Sequence, residues 1–229
     1  MFADEGSPAS MAGAFEALAS LWLDEPKVAE AFRHGRGLGW HEHSQCLFRG
    51  TERFFRPGYN ANLVSAWLPA LDGVVAKLQR GAVVADVGCG HGASTLVMAR
   101  AFPQSQFVGF DYHAPSIAER HARQRATPAL TNVRFEVAAC QELSAAASTW
   151  WRSSTACTTW ATRVGAASAR ARDASSRDGT WMIVEPFADD RSADNLEPGG
   201  PRVLRRLDDG VHAVLAVAGG GPRARRAGR

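Results

Sequence analysis

The middle of the chain alternates short apolar runs with amphipathic segments. Three runs rich in β-branched residues predict buried strands: Val83–Val87, Phe107–Phe110 and Val133–Val137. The segments between them, Ser94–Phe102 and Pro115–Arg125, have apolar residues at helical spacing. Strands and helices that alternate over short connections are typical of a doubly wound parallel sheet, so we predict an α/β fold.

The chain before residue 81 has a helical pattern throughout. The segments with helical spacing are Met11–Leu23, Lys27–Phe32, Asn60–Leu71 and Val74–Gln79. Pro26 is suited to open the second of these helices, and three glycines follow it at positions 35, 37 and 39. We therefore predict a helical N-terminal cap over residues 1–80 and an α/β domain over residues 81–196.

The pattern weakens after the third strand. One more strand is visible, Trp181–Val184, whereas residues 144–177 follow neither the helical nor the strand period. We therefore expect residues 144–177 to be irregular and the sheet to be incomplete after its third strand.

Composition and charge restrict the class of protein only loosely. The chain has 229 residues, is 45% hydrophobic, and lacks an apolar run long enough for a bilayer and a basic leader, so we expect a cytoplasmic location. Its four cysteines form no CxxC pair, which argues against a zinc ribbon or a disulfide scaffold. Residues 201–229 contain seven Arg and two Asp, which gives this segment a charge of +5, whereas the whole chain has a net charge of +3. We expect residues 197–229 to form a disordered basic tail, with nucleic acid a less favoured partner.

The candidate chemistry starts with the loop after the first strand. Asp86 is followed by Gly88, Cys89, Gly90 and Gly92, and then by a helix. Glycines let a backbone turn sharply and let a ligand lie against it at the carboxyl end of a strand. The spacing is GxGxG, whereas a dinucleotide loop would be GxGxxG. This spacing favours a ligand with a cationic amino acid end, which Asp86 would receive directly or through water.

A second carboxylate closes the second strand. Asp111 lies nineteen residues after Gly92 and can accept two hydrogen bonds from the hydroxyls of a ribose. Both NAD and S-adenosylmethionine (SAM) contain such a ribose, so the glycine spacing is the feature that favours SAM.

The segments DVGCGHGAST and GFDYH resemble motifs I and II of class I SAM-dependent methyltransferases. The stretch from Trp40 to Leu78 resembles an actinobacterial-type subgroup with a winged-helix-like segment upstream, here truncated before Met1. The resemblance implies a Rossmann-like sheet whose cap covers the cofactor SAM and a small-molecule acceptor. It implies that the three loop glycines line the methionine moiety, that Asp111 holds the ribose, and that Tyr112 flanks the adenine. The third strand lacks the acid that commonly follows it, because Val137 is followed by Ala138, Ala139 and Cys140.

The resemblance also suggests an explanation for the irregular segments. Ser148–Arg163 permits one choice of codons that, read one base earlier, encodes FDLVAVFDCLHDMGDP, a fourth strand and loop of the family type. Glu197–Ala213 likewise permits a choice of codons that, read one base later, encodes NPVGRVFYAASTTVCTP. We hypothesise that residues from about 145 to about 177, and from about 197 onward, are translated out of frame.

Two other functions remain open at this stage. The first is a nicotinamide oxidoreductase, which the glycine spacing disfavours. The second is a non-enzymatic fragment of a transcriptional regulator, although residues 1–40 contain no basic recognition helix. The HxHxxC group of His41, His43 and Cys46 fits no common zinc pattern, so we expect no metal site. The sequence leaves the catalytic residues and the oligomeric state undetermined.

Overall fold

The computed structural model describes residues 2–7, 9–125, 130–139, 148–153, 175–186 and 211–217. Within these ranges a helical cap precedes a single six-stranded sheet with helices between its first strands. The elements in chain order are α1 (Ala12–His34), a 3₁₀ turn (Trp40–Glu42), α2 (Gln45–Asn62), a π-helical turn (Leu63–Trp67), α3 (Val74–Arg80), β1 (Val83–Val87), α4 (Ala93–Ala101), β2 (Gln106–Asp111), α5 (Ala114–Arg125), β3 (Val133–Val137), β4 (Ser148–Ser153), β5 (Ser175–Pro186) and β6 (Val211–Val217).

The cap differs from its prediction in three places, one of which is the predicted helix Asn60–Leu71: it contains the end of α2 and the π-helical turn Leu63–Trp67. The first two predicted helices form one helix, α1, which continues through Pro26 and ends at Gly35 in a left-handed conformation. The helix α2 was missed, because Gly50, Pro57 and Gly58 lower its helical propensity. Tertiary packing overrides that propensity, since α1 and α2 lie against each other along much of their length.

Two glycines allow α1 and α2 to approach closely. A Cβ atom on Gly50 would collide with the backbone of Ala17, and one on Gly13 would collide with the backbone at Phe54. The contact between the two helices therefore depends on the absence of a side chain at both positions.

Gly50→Ala is expected to destabilise the protein by about 1–3 kcal/mol, because the new methyl group forces the two helices apart. Gly58→Ala is the matched control on the same helix. Its Cβ would meet no atom, so it is expected to stabilise the protein by about 0.5–1 kcal/mol. Urea unfolding of both variants measures the two changes. Equal stabilities for the two variants would show that the helices do not pack as described.

The sheet has the strand order β3-β2-β1-β4-β5-β6. Strands β1 to β5 are parallel, and β6 pairs with β5 in the antiparallel direction. The three strands and two intervening helices predicted from the sequence are confirmed, with ends that shift by one residue. The carboxyl ends of β1 and β2 therefore lie side by side, which places the glycine loop next to Asp111.

The later part of the chain contains two strands that the sequence pattern did not indicate. The interval expected to be irregular contains β4, which lies between β1 and β5, so the sheet is not incomplete after its third strand. The expected disordered tail contains β6. Short aromatic and β-branched runs supply both strands, STWWRS and VHAVLAV, but each is too short to stand out from its surroundings. The rest of residues 144–177 and 197–229 lies outside the described residues, apart from the first residues of β5.

The core lies between the sheet and the helices α3, α4 and α5. Its least exposed large side chains come from the cap, the helices and three strands: Leu63, Leu68, Leu78, Met98, Ile117, Val84, Phe107 and Met182. Met182 of β5 packs in the same core as the buried residues of β1 and β2. Among the described residues, we find no helix that combines the length and the hydropathy needed to cross a bilayer.

Candidate functional site

A cavity of about 620 Å³ separates the helical cap from the carboxyl ends of β1 and β2. Its volume lies in the range of roughly 300–1,000 Å³ that is typical of small-molecule sites. One wall comes from the cap and the other from the sheet. The lining residues on the cap are Gly37, Leu38, Gly39, Trp40, His43, Phe48, Thr51, Glu52, Phe55 and Tyr59, and those on the sheet side are Gly88, Cys89, Gly90, His91, Ala93, Ser94, Asp111, Tyr112 and Ser116.

The glycine loop is fastened to the end of β2 by its own backbone. The amides of Gly88 and Cys89 donate to the carbonyl oxygen of Phe110, at 2.8 and 3.0 Å. The amide of Gly90 donates to Asp111 Oδ2 at 2.8 Å. The loop and the carboxylate thus form one rigid unit at the cavity wall.

Two of the loop glycines are needed for different reasons. Gly90 has a φ of +53°, and a Cβ there would meet no atom, so its backbone is open to the cavity. Gly92 has a φ of +77°, and a Cβ there would collide with the ring of Phe135 on β3. Gly92 lies outside the cavity wall, and its role is to let the start of α4 pack against β3.

Asp86 does not face the cavity. Its side chain is fully buried beneath the loop, where Oδ2 accepts hydrogen bonds from Ser94 Oγ at 3.0 Å and from Thr95 Oγ1 at 2.6 Å. Both hydroxyls belong to the first turn of α4, so Asp86 fixes the start of that helix against the end of β1. This position does not support the direct contact with a cationic ligand that the sequence suggested.

Asp111 lies where the sequence predicts it, at the end of β2 and on the cavity wall. It is 8% exposed, and besides Gly90 it accepts a hydrogen bond from the amide of His113, at 2.8 Å to Oδ1. Burial raises the pKa of this carboxyl group above its usual range, although both backbone hydrogen bonds act in the opposite direction. The result is a preorganised carboxylate with remaining acceptor capacity beside the glycine loop.

Tyr112 also lines the cavity, with 36% of its surface exposed, and its ring meets that of His41 edge-to-face at 6.4 Å. The next strand ends beside it, where the amide of Ala138 donates to the carbonyl oxygen of Asp111 at 3.0 Å. Val137 at that end is half exposed, and Cys140 lies outside the described residues.

His91 is the main surprise of the loop, because its place in a turn suggests a solvent-facing side chain. The structure buries it, with Nε2 at 3.3 Å from Glu119 Oε2 on α5. Burial lowers the pKa of His91, although the carboxylates of Glu119 and Glu52 oppose this shift. His91 therefore favours the neutral form at the cavity wall.

The cap is joined to the end of β2 by a ring stack. Phe48 of α2 lies over His113 with 4.0 Å between ring centroids, and Trp40 meets Phe48 edge-to-face at 5.3 Å. The segment before α2 is held by Asp24 of α1, which accepts hydrogen bonds from the amide of Ser44 at 2.9 Å and lies 3.0 Å from His43 Nδ1. Contacts within the cap thus account for the position of His43.

The sequence missed the cavity-facing side of α2. Thr51, Glu52, Phe55 and Tyr59 follow Phe48 at helical spacing and line the cavity together. The spacing of Phe48, Phe55 and Tyr59 could have indicated one face of a helix, but aromatic residues at that spacing are more often core than ligand contacts.

Comparisons with known proteins give consistent matches. Residues 84–178 match a family model described as "Methyltransferase domain". A segment of 63 residues is 43% identical to the trans-aconitate 2-methyltransferase of Deinococcus radiodurans. That segment covers 28% of this chain and 22% of the relative, so the match spans about a fifth of the relative's length.

Three solved structures share the fold at low sequence identity. LaPhzM has a TM-score of 0.58 at 17% identity, over 81% of this chain and 58% of its own. An O-methyltransferase family protein from Burkholderia thailandensis has a TM-score of 0.57 at 17% identity, over 83% and 57% of the two chains. The mitomycin 7-O-methyltransferase MmcR has a TM-score of 0.54 at 14% identity, over 64% and 40%. At such identities the likeness establishes the fold, which is the Rossmann-like sheet of methyltransferases.

Proposed function

We propose that this chain is a class I methyltransferase that binds SAM in the cavity beneath its helical cap and transfers the methyl group to a small-molecule acceptor. The observation that carries the proposal is the hydrogen bond from the Gly90 amide to Asp111, which joins an open glycine backbone to a buried carboxylate on the cavity wall. The matched methyltransferase family model covers both residues.

The cavity residues divide naturally along an extended SAM molecule. Gly88, Cys89 and Gly90 would lie along the methionine moiety, and Asp111 would accept hydrogen bonds from the two ribose hydroxyls. Tyr112 would lie against the adenine ring. Gly92 and Asp86 would act indirectly, by setting the start of α4.

SAM would supply an activated methyl group for an in-line displacement: the acceptor's bond to the methyl carbon forms as the carbon–sulfur bond breaks, S-adenosylhomocysteine leaves, and the acceptor loses its proton to solvent. The chain contributes mainly by position: it holds the methyl donor by the loop and Asp111, and its apolar cap excludes water. A cytoplasmic location is part of the same proposal.

The two rival functions need features that the described residues do not supply. A nicotinamide cofactor would place its pyrophosphate at a GxGxxG loop, whereas this loop is GxGxG. A transcriptional regulator would need a basic recognition helix, and the exposed surface of α1 carries seven apolar side chains instead: Phe15, Leu18, Leu21, Trp22, Leu23, Val28 and Phe32.

Isothermal titration with SAM, S-adenosylhomocysteine and NADH tests the proposal. We expect both adenosyl ligands to bind and NADH to give no heat, because all three contain a ribose but only the first two suit the loop. NADH is thus an internal control: it shows whether the contact of Asp111 with a ribose is sufficient for binding without the glycine loop. Binding of NADH without binding of either adenosyl ligand would overturn the proposal.

A further inference from the structure

Glu52 stands on the cavity wall without a role in the site described so far. A SAM molecule carries an ammonium group on its methionine moiety, and a buried cation requires a carboxylate or several hydrogen-bond acceptors. The acid suggested for this purpose, Asp86, is sealed beneath the loop. Among the described residues that line the cavity, the carboxylates are Asp111 and Glu52.

Asp111 is already committed to the other part of the ligand. Both of its oxygens accept backbone hydrogen bonds at the end of β2, where the ribose is expected. Among the described residues of the cavity wall, Glu52 is therefore the carboxylate that remains for the ammonium group.

The position of Glu52 suits the methionine end of the ligand. Phe48 marks the ribose side, because its ring stacks on His113 next to Asp111. Glu52 lies four residues later on α2, which is about one helical turn, or roughly 5–6 Å, farther along the cap. There a chain of ion pairs through Arg123 and Glu119 joins it to His91, a residue of the glycine loop itself.

Two arginines hold the Glu52 side chain in place. Its Oε1 lies 3.6 Å from Arg56 Nε, and its Oε2 lies 3.5 Å from Arg123 Nη1, while 11% of the side chain is exposed. These ion pairs orient the group, and a carboxylate has about four lone-pair sites, so acceptor capacity remains for a ligand. An ammonium group can donate to such a site, whereas a sulfonium has no proton to donate.

We propose that Glu52 is the residue that receives the ammonium group of the methionine moiety of SAM. The inference rests on the proposed function, since it assigns one contact within the same cavity. It predicts that Glu52 contributes to the affinity of ligands that carry the amino acid end, and that this contribution is the same with or without the methyl group.

The test compares three ligands on Glu52→Gln by isothermal titration: SAM, S-adenosylhomocysteine and 5′-methylthioadenosine, which lacks the amino acid end. We expect SAM and S-adenosylhomocysteine to bind roughly 10- to 100-fold more weakly, the range for a hydrogen bond between charged groups. We expect 5′-methylthioadenosine to bind within about twofold of its wild-type affinity, which also shows that the variant is folded.

Glu16→Gln is the matched control, because Glu16 also pairs with an arginine of α2, Arg53, but lies outside the cavity wall. It is expected to leave all three affinities within about twofold. Three results on Glu52→Gln would overturn the inference: no change for any ligand, a loss confined to SAM, which would indicate the sulfonium, or an equal loss for all three. Failure of the wild-type chain to bind any of them would instead contradict the proposed function.

Discussion

Restoring the alternative reading frame is expected to raise methyl transfer by at least about 10³-fold over the chain as written. Positioning alone contributes roughly 7–11 kcal/mol to reactions of this kind, and a general base contributes about 10²–10⁴-fold. The restored sequence, FDLVAVFDCLHDMGDP, replaces Ser148–Arg163 and supplies a Leu-His-Asp segment with candidate bases.

The structure gives this expectation a geometric basis. β4 lies between β1 and β5, and its last residue, Ser153, is in register with Val87, the residue before the glycine loop. The segment that leaves β4 therefore starts at the same edge of the sheet as the loop. A central parallel strand is normally an apolar run, which FDLVAV supplies and STWWRS does not.

The measurement is methyl transfer from labelled SAM to a panel of small hydroxyl and amine acceptors. A version that carries a shuffled FDLVAVFDCLHDMGDP segment is the matched control, because it has the same composition without the same order. The chain as written and the frame-restored chain should bind SAM with affinities within about tenfold of each other, since the proposed contacts come from β1, β2 and the cap. Equal turnover by the two readings would contradict the frame hypothesis or the importance of β4, and the gene sequence across codons 144 and 197 checks the hypothesis directly.

Asp111→Ala is expected to weaken the binding of SAM by about 1–3 kcal/mol, or roughly 5- to 150-fold. The substitution leaves the two ribose hydroxyls without their proposed acceptor inside a largely buried site. It also removes the acceptor of the Gly90 and His113 amides, so a loss of affinity alone would not identify the ribose contact.

A double-mutant cycle separates these two effects. The affinities of S-adenosylhomocysteine and its 2′-deoxy analogue are measured on the wild-type chain and on Asp111→Ala. If Asp111 binds the ribose, deletion of the hydroxyl should cost affinity in the wild-type chain and almost none in the variant. Equal costs in both proteins would place the ribose elsewhere.

The part of the site that the sequence predicts is the part built from local pattern. The strand, the glycine loop and Asp111 belong to consecutive elements, and parallel pairing of β1 with β2 necessarily brings their carboxyl ends together. The apolar pattern of the strands and the spacing of the glycines therefore suffice to place Gly88, Gly90 and Asp111 at the same edge of the sheet.

The remaining features depend on tertiary packing. Asp86 could point to either face of the sheet, and its burial under Ser94 and Thr95 follows from how α4 packs on β1. Glu52 reaches the cavity only because the glycines at positions 13 and 50 let α2 lie against α1. No short window of sequence contains either fact.

The crystal structure of the chain with S-adenosylhomocysteine is the most direct test of the central claim. The account predicts the ligand in the cavity beneath the cap, with its ribose hydroxyls about 3 Å from the Asp111 oxygens and its amino acid end along Gly88–Gly90. A ligand bound outside this cavity, or with its ribose away from Asp111, would contradict the account.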